Sequence, residues 1–202
     1  MSDPIATNEP RWVPGDRFFR ALEYAVHLHA HQSRKNRQRD PYVAHLFAVA
    51  ALVIEDGGSE EETIAALLHD AAEDHGGLAT LTQIRQQFCD EVARIVDGCS
   101  DSLESDPESK PPWKDRKRRY LDHLRAADEH VRRVALADKL NNARATALDL
   151  AEGRKLGDGF KAPADDQRWY YAELLKCFEG TASRNLSEFR DYVRRIVEWR
   201  DT

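Results

Sequence analysis

Two histidines and two aspartates are the first candidates for chemistry in this sequence. His69 and Asp70 are adjacent and follow the apolar run 64–68, His45 lies upstream, and Asp138 lies downstream. Imidazole suits transition metals and carboxylate oxygen suits harder divalent ions, so the set fits Mn²⁺, Fe²⁺ or Zn²⁺. A His-Asp pair by itself is usually a surface or capping feature, but the full set predicts one metal site built from three helices.

Two further acids follow the His-Asp pair by one helical turn. Glu73 is four residues after His69 (73 − 69 = 4), and Asp74 is four residues after Asp70 (74 − 70 = 4). This spacing places each acid on the same helix face as a candidate ligand. A carboxylate beside a metal site can orient a water molecule, take its proton, or donate a proton to a leaving group. The alternative is a solvated acidic helix end, which opposes the helix dipole.

The elements that must position these residues are predicted to be helices. Ser59 and Glu62 form a capping-box pattern, so a helix is expected to start there and to carry His69 and Asp70 near its far end. Pro41 can open the helix that carries His45. Apolar residues recur at helical spacing along most of the remaining chain, and residues 97–112 are the clearest loop. We predict an all-α fold of about eight to ten helices in a single domain at residues 14–202, after a mobile tail at residues 1–13.

Composition excludes several classes of function. The chain has 202 residues, 41% of them apolar and 33% charged, and a formal net charge of −6. The acidic balance argues against nucleic acid as a partner, because phosphate backbones select basic faces. No apolar run is long enough to span a membrane, and the N-terminus lacks the pattern of a signal peptide, so a cytoplasmic protein is expected. The three cysteines form no CxxC pair, which disfavours a cysteine-built zinc site.

Four ordered segments resemble one known family. They are 29–35 (HAHQSRK), 41–45 (PYVAH), 65–74 (AALLHDAAED) and 137–144 (ADKLNNAR). Together they resemble the hydrolase domain of RelA/SpoT-type enzymes, and in particular the stand-alone small alarmone hydrolases of the HD-domain superfamily. The resemblance covers roughly residues 16–180. It implies an all-α fold, dependence on Mn²⁺ (with Zn²⁺, Fe²⁺ or Mg²⁺ as alternatives), and removal of the 3′-pyrophosphate of (p)ppGpp to give GDP or GTP.

The resemblance also implies a role for each site residue. It assigns the metal to His45, His69, Asp70 and Asp138, and it assigns the attacking water and leaving oxygen to Glu73 and Asp74. The substrate residues would be Arg34, stacked on the purine, Lys35 on phosphate, Asn142 near the ribose or base, and Tyr170 beside the nucleotide. From the residues alone, Arg34 and Lys35 also fit a solvated basic loop, and the aromatic run 169–171 also fits a core stripe. Tyr171 is nearly as good a candidate as Tyr170.

The sequence departs from the family pattern at a few positions. His31 stands where a small residue is usual, Asn141 replaces a frequent His or Tyr, and Ala145 replaces a frequent Thr. These changes are expected to leave the metal ligands untouched and to bear on ribose or base contacts, so guanine over adenine stays open. The basic segment 113–120 fits the family as a source of cations for outer phosphates, and it equally fits a solvated face with salt pairs.

Two rival functions remain at this stage. The first is another phosphohydrolase on the same scaffold, such as a (p)ppApp hydrolase, an NADPH phosphatase or a 5′-nucleotidase. The second is a sensor that binds alarmone without cleaving it, although such a protein has no need of both Glu73 and Asp74. The expected partner is a small phosphorylated purine nucleotide, with neither nucleic acid nor membrane, and a homodimer is left open.

Overall fold

The computed structural model describes residues 10–35, 39–104, 106, 109–158 and 162–200. Within these ranges the chain forms ten helices, and its extended pairing is one isolated antiparallel bridge between Ser33 and Pro41. The helices are α1 (Asp16–Leu28), α2 (Val43–Glu55), α3 (Glu60–Leu68), α4 (Ala71–Asp74), α5 (Leu78–Phe88), α6 (Asp90–Cys99), α7 (Trp113–Ala126), α8 (Glu129–Ala151), α9 (Ala164–Phe178) and α10 (Asn185–Glu198). The predicted all-α fold is confirmed.

The short helix α3 is the centre of the core. The predicted capping box is present: Ser59 Oγ accepts from the Glu62 N–H, and Glu62 accepts from the Ser59 N–H. Every residue of α3 from Glu62 to Leu68 is buried. Because α3 packs against α1, α2, α6 and α8, it is apolar on all sides rather than along one stripe.

The junction after α3 differs from the sequence prediction. The helix ends at Leu68, so His69 and Asp70 lie between α3 and α4 instead of inside one helix. Asp70 has φ −93° and ψ −5°, the bridge region that is sparsely used in regular helices. This break turns the two adjacent side chains, which would diverge by about 100° on a continuous helix, toward one point. Helix α4 ends at Asp74, and Gly76 and Gly77, both with positive φ, follow it in the turn that leads to α5.

The long helix α8 supplies the second wall of the site. It packs against α2, α3, α6, α9 and α10, and it carries Asp138 in its buried middle portion. Asp128 caps its start by accepting from the N–H groups of His130 and Val131. The helix is predicted from the sequence at residues 131–150, within two residues of its observed ends at 129 and 151.

The predicted N-terminal tail lies mostly outside the described residues. In its described part, Arg11 donates to the Ile54 carbonyl, and Trp12 Nε1 donates to the Gly58 carbonyl at 3.2 Å. The domain boundary at residue 14 stays a prediction. Among the described residues, no helix combines the length and the hydropathy that crossing a bilayer requires.

Candidate functional site

The four side chains predicted as metal ligands converge on one point. One ligand atom each from His45, His69 and Asp70 lie within 4.8 Å of one another. Asp138 Oδ1 approaches the same place from α8, 3.2 Å from His45 Nε2 and 3.5 Å from His69 Nε2. Helix α2, the junction between α3 and α4, and helix α8 therefore each bring at least one candidate ligand.

The hydrogen bonds of both imidazoles leave their Nε2 atoms available for a cation. His69 Nδ1 donates to the Ala66 carbonyl at 2.8 Å, and His45 Nδ1 donates to Asn141 Oδ1 at 2.7 Å. In neutral histidine the other nitrogen then carries a lone pair. His69 Nε2 is buried and has no hydrogen-bond partner in the part of the chain that the structure describes. A buried lone pair facing two carboxylates fits a divalent metal ion, which would satisfy all of these groups.

The contact between His45 and Asn141 corrects one expectation from the sequence. The departure from the family pattern at position 141 was expected to leave the ligands untouched. Instead, the Asn141 amide fixes the ring orientation and tautomer of His45. The residue lies three positions after Asp138, on the same face of α8, which brings it to the His45 side of the site.

The charges of the site favour a cation. Burial raises the pKa of Asp70, but the neighbouring His69 and His45 hold it well below its usual value. Burial likewise raises the pKa of Asp138, and Lys139 together with the two histidines holds it well below the usual range. Burial lowers the pKa of His69, yet Asp70 and Asp138 raise it well above its ordinary value. Both carboxylates are thus ionised and stabilise positive charge between them, either a proton on His69 Nε2 or a divalent cation that would take the place of that proton.

Outer contacts fix the two carboxylates in place. Tyr42 donates to Asp70 Oδ2 at 2.5 Å, and burial together with the charge of Asp70 raises the pKa of Tyr42, so its hydroxyl remains a donor. Asn142 Nδ2 and Lys139 Nζ each lie 2.6 Å from an oxygen of Asp138. The sequence motifs contain all three residues, but only Asn142 received a role from them. Asp70 is the most accessible ligand, with 22% of its side chain exposed against 7% for Asp138.

The two candidate acids lie beside Asp70, and different partners hold them. Glu73 Oε2 accepts from the backbone N–H of Asp101 at 3.0 Å, and Asp74 Oδ2 accepts from Gln32 Nε2 at 2.7 Å. Burial, with the charge of Asp101, raises the pKa of Glu73 to about 7. Burial and the charge of Asp70 raise the pKa of Asp74. A carboxyl group with a pKa near neutral can both accept and donate a proton at physiological pH.

A cleft of about 310 Å³ opens next to the candidate ligands. Its lining includes His45 and Asn141 at the end nearest the candidate ligands, which we call the metal end, and Arg34, Arg144 and Leu148 farther out. Arg34 Nη2 donates to Asn142 Oδ1 at 3.1 Å, and Asn142 in turn donates to Asp138. A continuous line of hydrogen bonds therefore joins the cleft to the metal end of the site.

The other two predicted substrate residues lie apart from this lining. Lys35 is exposed, and its backbone carbonyl accepts from Arg154 at 2.8 Å. Tyr170 lies on α9 and is buried against α7, with its ring 5.7 Å from that of Trp113 and with Lys117 Nζ 5.1 Å from the ring centre. This is the packing that the core alternative expects for the aromatic run. A nucleotide contact by Lys35 or Tyr170 stays a prediction.

The basic helix α7 is closely tied to acidic partners. Arg116 and Lys117 both donate to the buried carboxylate of Asp101, and Lys114 Nζ lies 2.6 Å from Asp166. These contacts match the salt-pair interpretation of segment 113–120. They also link α7 to Glu73, since the same Asp101 donates its backbone N–H to that acid. Sequence reasoning assigned no role to Asp101, which stands in the loop between predicted helices.

Comparisons with known proteins give the family of this chain. Residues 21–157 match the family model described as HD domain. The chain belongs to the HD-domain family. Over 166 residues it is 32% identical to the guanosine-3′,5′-bis(diphosphate) 3′-pyrophosphohydrolase MESH1 of Xenopus tropicalis, covering 81% of this chain and 85% of the relative. The predicted resemblance to stand-alone RelA/SpoT-type hydrolases is confirmed.

A larger relative and a solved structure extend the comparison. The chain is 37% identical over 125 residues to a probable GTP pyrophosphokinase of Mycobacterium leprae. The matched segment covers 62% of this chain but 15% of that protein. The HD-domain fold also superposes with a TM-score of 0.75 on a solved structure described as a metazoan ortholog of SpoT that hydrolyses ppGpp. That structure is 25% identical, and the match covers 91% of this chain and 97% of the other.

Proposed function

We propose that this HD-domain protein hydrolyses the 3′-pyrophosphate of alarmone nucleotides, converting (p)ppGpp and water into GDP or GTP and pyrophosphate. The observation that carries the proposal is the convergence of His45, His69, Asp70 and Asp138 around the buried Nε2 atom of His69, which has no hydrogen-bond partner among the described residues. The MESH1 relatives and the SpoT ortholog, with the activities that their names state, support the choice of substrate.

The proposed metal site uses the four converging side chains. When bound, a divalent cation supplies Lewis-acid activation of water and neutralisation of phosphate charge. We propose Mn²⁺ as the resident ion, since two imidazoles and two carboxylates suit a transition metal with a preference for oxygen. Asn141, Tyr42 and Lys139 orient His45, Asp70 and Asp138 respectively.

The proposed proton transfers belong to Glu73 and Asp74. The attacking water loses a proton as its oxygen bonds to phosphorus, and the ribose 3′-oxygen gains one as its bond to phosphorus breaks. One carboxyl group must therefore accept a proton while the other donates one. Glu73, with a pKa of about 7, is suited to either task at neutral pH.

The cleft beside His45 is the proposed nucleotide site. Arg34 lines it, and a planar guanidinium can lie flat against a purine base while its Nη2 stays bonded to Asn142. This arrangement would direct the ribose toward Asn142 and the 3′-phosphates toward the carboxylates beyond it. The cytoplasmic location stays a prediction from the sequence, and the base preference and a homodimer stay open.

A substrate panel tests the proposal. Purified protein is incubated with Mn²⁺ and, in parallel, with ppGpp, pppApp or NADPH, and the products are resolved by chromatography. We expect GDP and pyrophosphate from ppGpp. Faster turnover of pppApp or NADPH would assign the site to a different phosphohydrolase, and tight ppGpp binding without pyrophosphate release would indicate a sensor instead.

A further inference from the structure

The side chain of Gln32 joins three polar groups at the edge of the site. It lies in the turn after α1, where its Oε1 is 2.7 Å from His29 Nδ1 and 3.1 Å from His75 Nε2. Its Nε2 donates to Asp74 Oδ2 at 2.7 Å. Neither the family resemblance nor the motif spacing gave this glutamine a role.

Only one orientation of the amide satisfies these contacts. An ionised carboxylate only accepts hydrogen bonds, so the nitrogen of Gln32 must face Asp74. The amide oxygen then faces both imidazoles, and His29 Nδ1 and His75 Nε2 must each carry a hydrogen. Burial lowers the pKa of His29, which keeps its ring neutral and agrees with a single N–H at Nδ1. The two imidazoles thus fix the direction of the amide, and the amide presents its donor to Asp74.

The backbone around Gln32 is held independently of its side chain. The Gln32 N–H donates to the His29 carbonyl at 3.0 Å, and its own carbonyl accepts from the Tyr42 N–H at 2.9 Å. His29 is buried, and its ring stacks at 5.1 Å on Tyr42, the residue that donates to Asp70. Replacing the amide of Gln32 would therefore leave the path of the chain intact, so a substitution acts through the side-chain contacts with Asp74, His29 and His75.

Asp74 needs such a restraint because its side chain is only partly buried and the charge of Asp70 repels it. It lies on the solvent side of α4, and the charge of Asp70 acts on it unfavourably. A short carboxylate in that position would rotate away from a like charge unless a donor held it. Gln32 is a neutral donor, so it holds Asp74 without adding a charge to the site.

We propose that Gln32 is the positioning residue for Asp74: it holds one carboxylate oxygen and leaves the other free for the proton transfer assigned to Asp74. The inference rests on the proposed hydrolase function. Misplacing a reacting group by about 1 Å costs roughly 10²-fold in rate, so loss of one restraint is expected to lower kcat by about 10-fold.

The test compares three single variants with the wild-type protein. Gln32→Met keeps the length but removes both donor and acceptor, and Gln32→Glu keeps an acceptor for the imidazoles while placing a second carboxylate against Asp74. Gln83→Met is the matched control, because exposed Gln83 contacts Tyr24 on α1 instead of the site. We expect kcat to fall about 10-fold in Gln32→Met and further in Gln32→Glu, with KM and bound Mn²⁺ unchanged. Tm should fall in Gln32→Met, because buried His29 Nδ1 loses its acceptor, and less in Gln32→Glu, which keeps one. The control should match wild type.

A double variant decides whether Gln32 acts through Asp74. If it does, the double variant Gln32→Met with Asp74→Asn should have the same kcat as Asp74→Asn alone, because the effects of two substitutions on one contact do not add. Independent, multiplicative losses would overturn the inference and assign Gln32 a general structural role. An unchanged kcat in Gln32→Met would overturn it as well.

A crystal structure of Gln32→Met separates this inference from the proposed function. We expect the Asp74 carboxylate to move while His45, His69 and Asp138 stay in place. An unmoved Asp74 would refute the positioning role, whatever the activity. Wild-type protein that releases no product from any nucleotide of the panel would refute the proposed function, and the position of Asp74 would still decide the role of Gln32.

Discussion

The proposed metal site and the proposed nucleotide cleft are built in opposite ways. The side chains of His45 and His69 are about 1% exposed. Asn141 holds the ring of His45, and the Ala66 carbonyl holds that of His69. The cleft, in contrast, depends on Arg34, which projects from a loop closed by the bridge between Ser33 and Pro41. A buried helical cluster gives precise geometry for chemistry, whereas a loop gives a surface that can adapt to a ligand. Substitutions in the first region should therefore reduce turnover, and substitutions in the second should alter substrate binding.

The largest expected effect is the removal of a ligand. Asp70→Ala should reduce pyrophosphate release to background, because the site loses a proposed ligand whose Oδ2 lies 3.0 Å from His69 Nε2. Bound metal, measured by mass spectrometry, should fall in parallel. Asp191→Ala, on the exposed face of α10, is the matched control and should retain full activity. Full activity of Asp70→Ala would refute the ligand assignment.

Changing an acid without touching the ligands should separate chemistry from metal binding. Glu73→Gln keeps a side chain of the same length but cannot exchange a proton, so kcat should fall by about 10²-fold or more. Bound metal should stay at the wild-type level, since Glu73 contacts Asp101 and not a ligand. Glu188→Gln on α10 serves as the control. A parallel loss of metal would place Glu73 among the ligands instead.

Asn141→Ala tests whether residues that hydrogen-bond to the candidate ligands contribute to metal binding. Asn141→Ala removes the acceptor for His45 Nδ1 and should weaken metal affinity by about 10- to 100-fold. Activity at low Mn²⁺ should drop and recover when Mn²⁺ is added in excess. A metal titration followed by activity measures both. Unaltered affinity would mean that burial alone holds the His45 ring.

A substitution in the cleft should act on binding. Arg34→Ala removes the guanidinium that lines the cleft, and KM for ppGpp should rise about 10-fold, equivalent to the ~1–2 kcal/mol of a desolvated stacking contact. The change in kcat should be smaller, although the lost bond to Asn142 gives some coupling. Arg85→Ala, on the surface of α5, is the control. A pure kcat effect would contradict the difference between the two regions.

The smallest expected effect is a shift in the pH profile. The charge of Asp101 raises the pKa of Glu73, so Asp101→Asn should favour the ionised form and lower that pKa from about 7. The same substitution would remove the ion-pair partner of Lys117, whose charge lowers the pKa of Glu73. The limb of the kcat profile that reports Glu73 should move to lower pH. A limb that stays in place, or moves to higher pH, would show that Glu73 does not control it.

Residues whose own type suits metal binding could be proposed from the sequence, and residues that act through a contact with them could not. His45, His69, Asp70 and Asp138 were found from their ligand chemistry and order in the chain, and the structure brings them together. Tyr42, Gln32 and Asp101 are ordinary polar residues whose partners lie 28 to 42 positions away in the sequence. No local pattern encodes such a pairing, because it depends on how separate helices pack.

The sequence alone determined the helical class, the capping box at Ser59 and the set of residues able to bind a metal, because helix periodicity, capping and ligand chemistry are local properties. The tertiary structure decided the break of the chain at Asp70, the hydrogen-bond partner of each imidazole and the burial that raises the pKa of Glu73. Those features arise where α2, α3 and α8 meet, since desolvation and orientation exist only after distant segments have packed together.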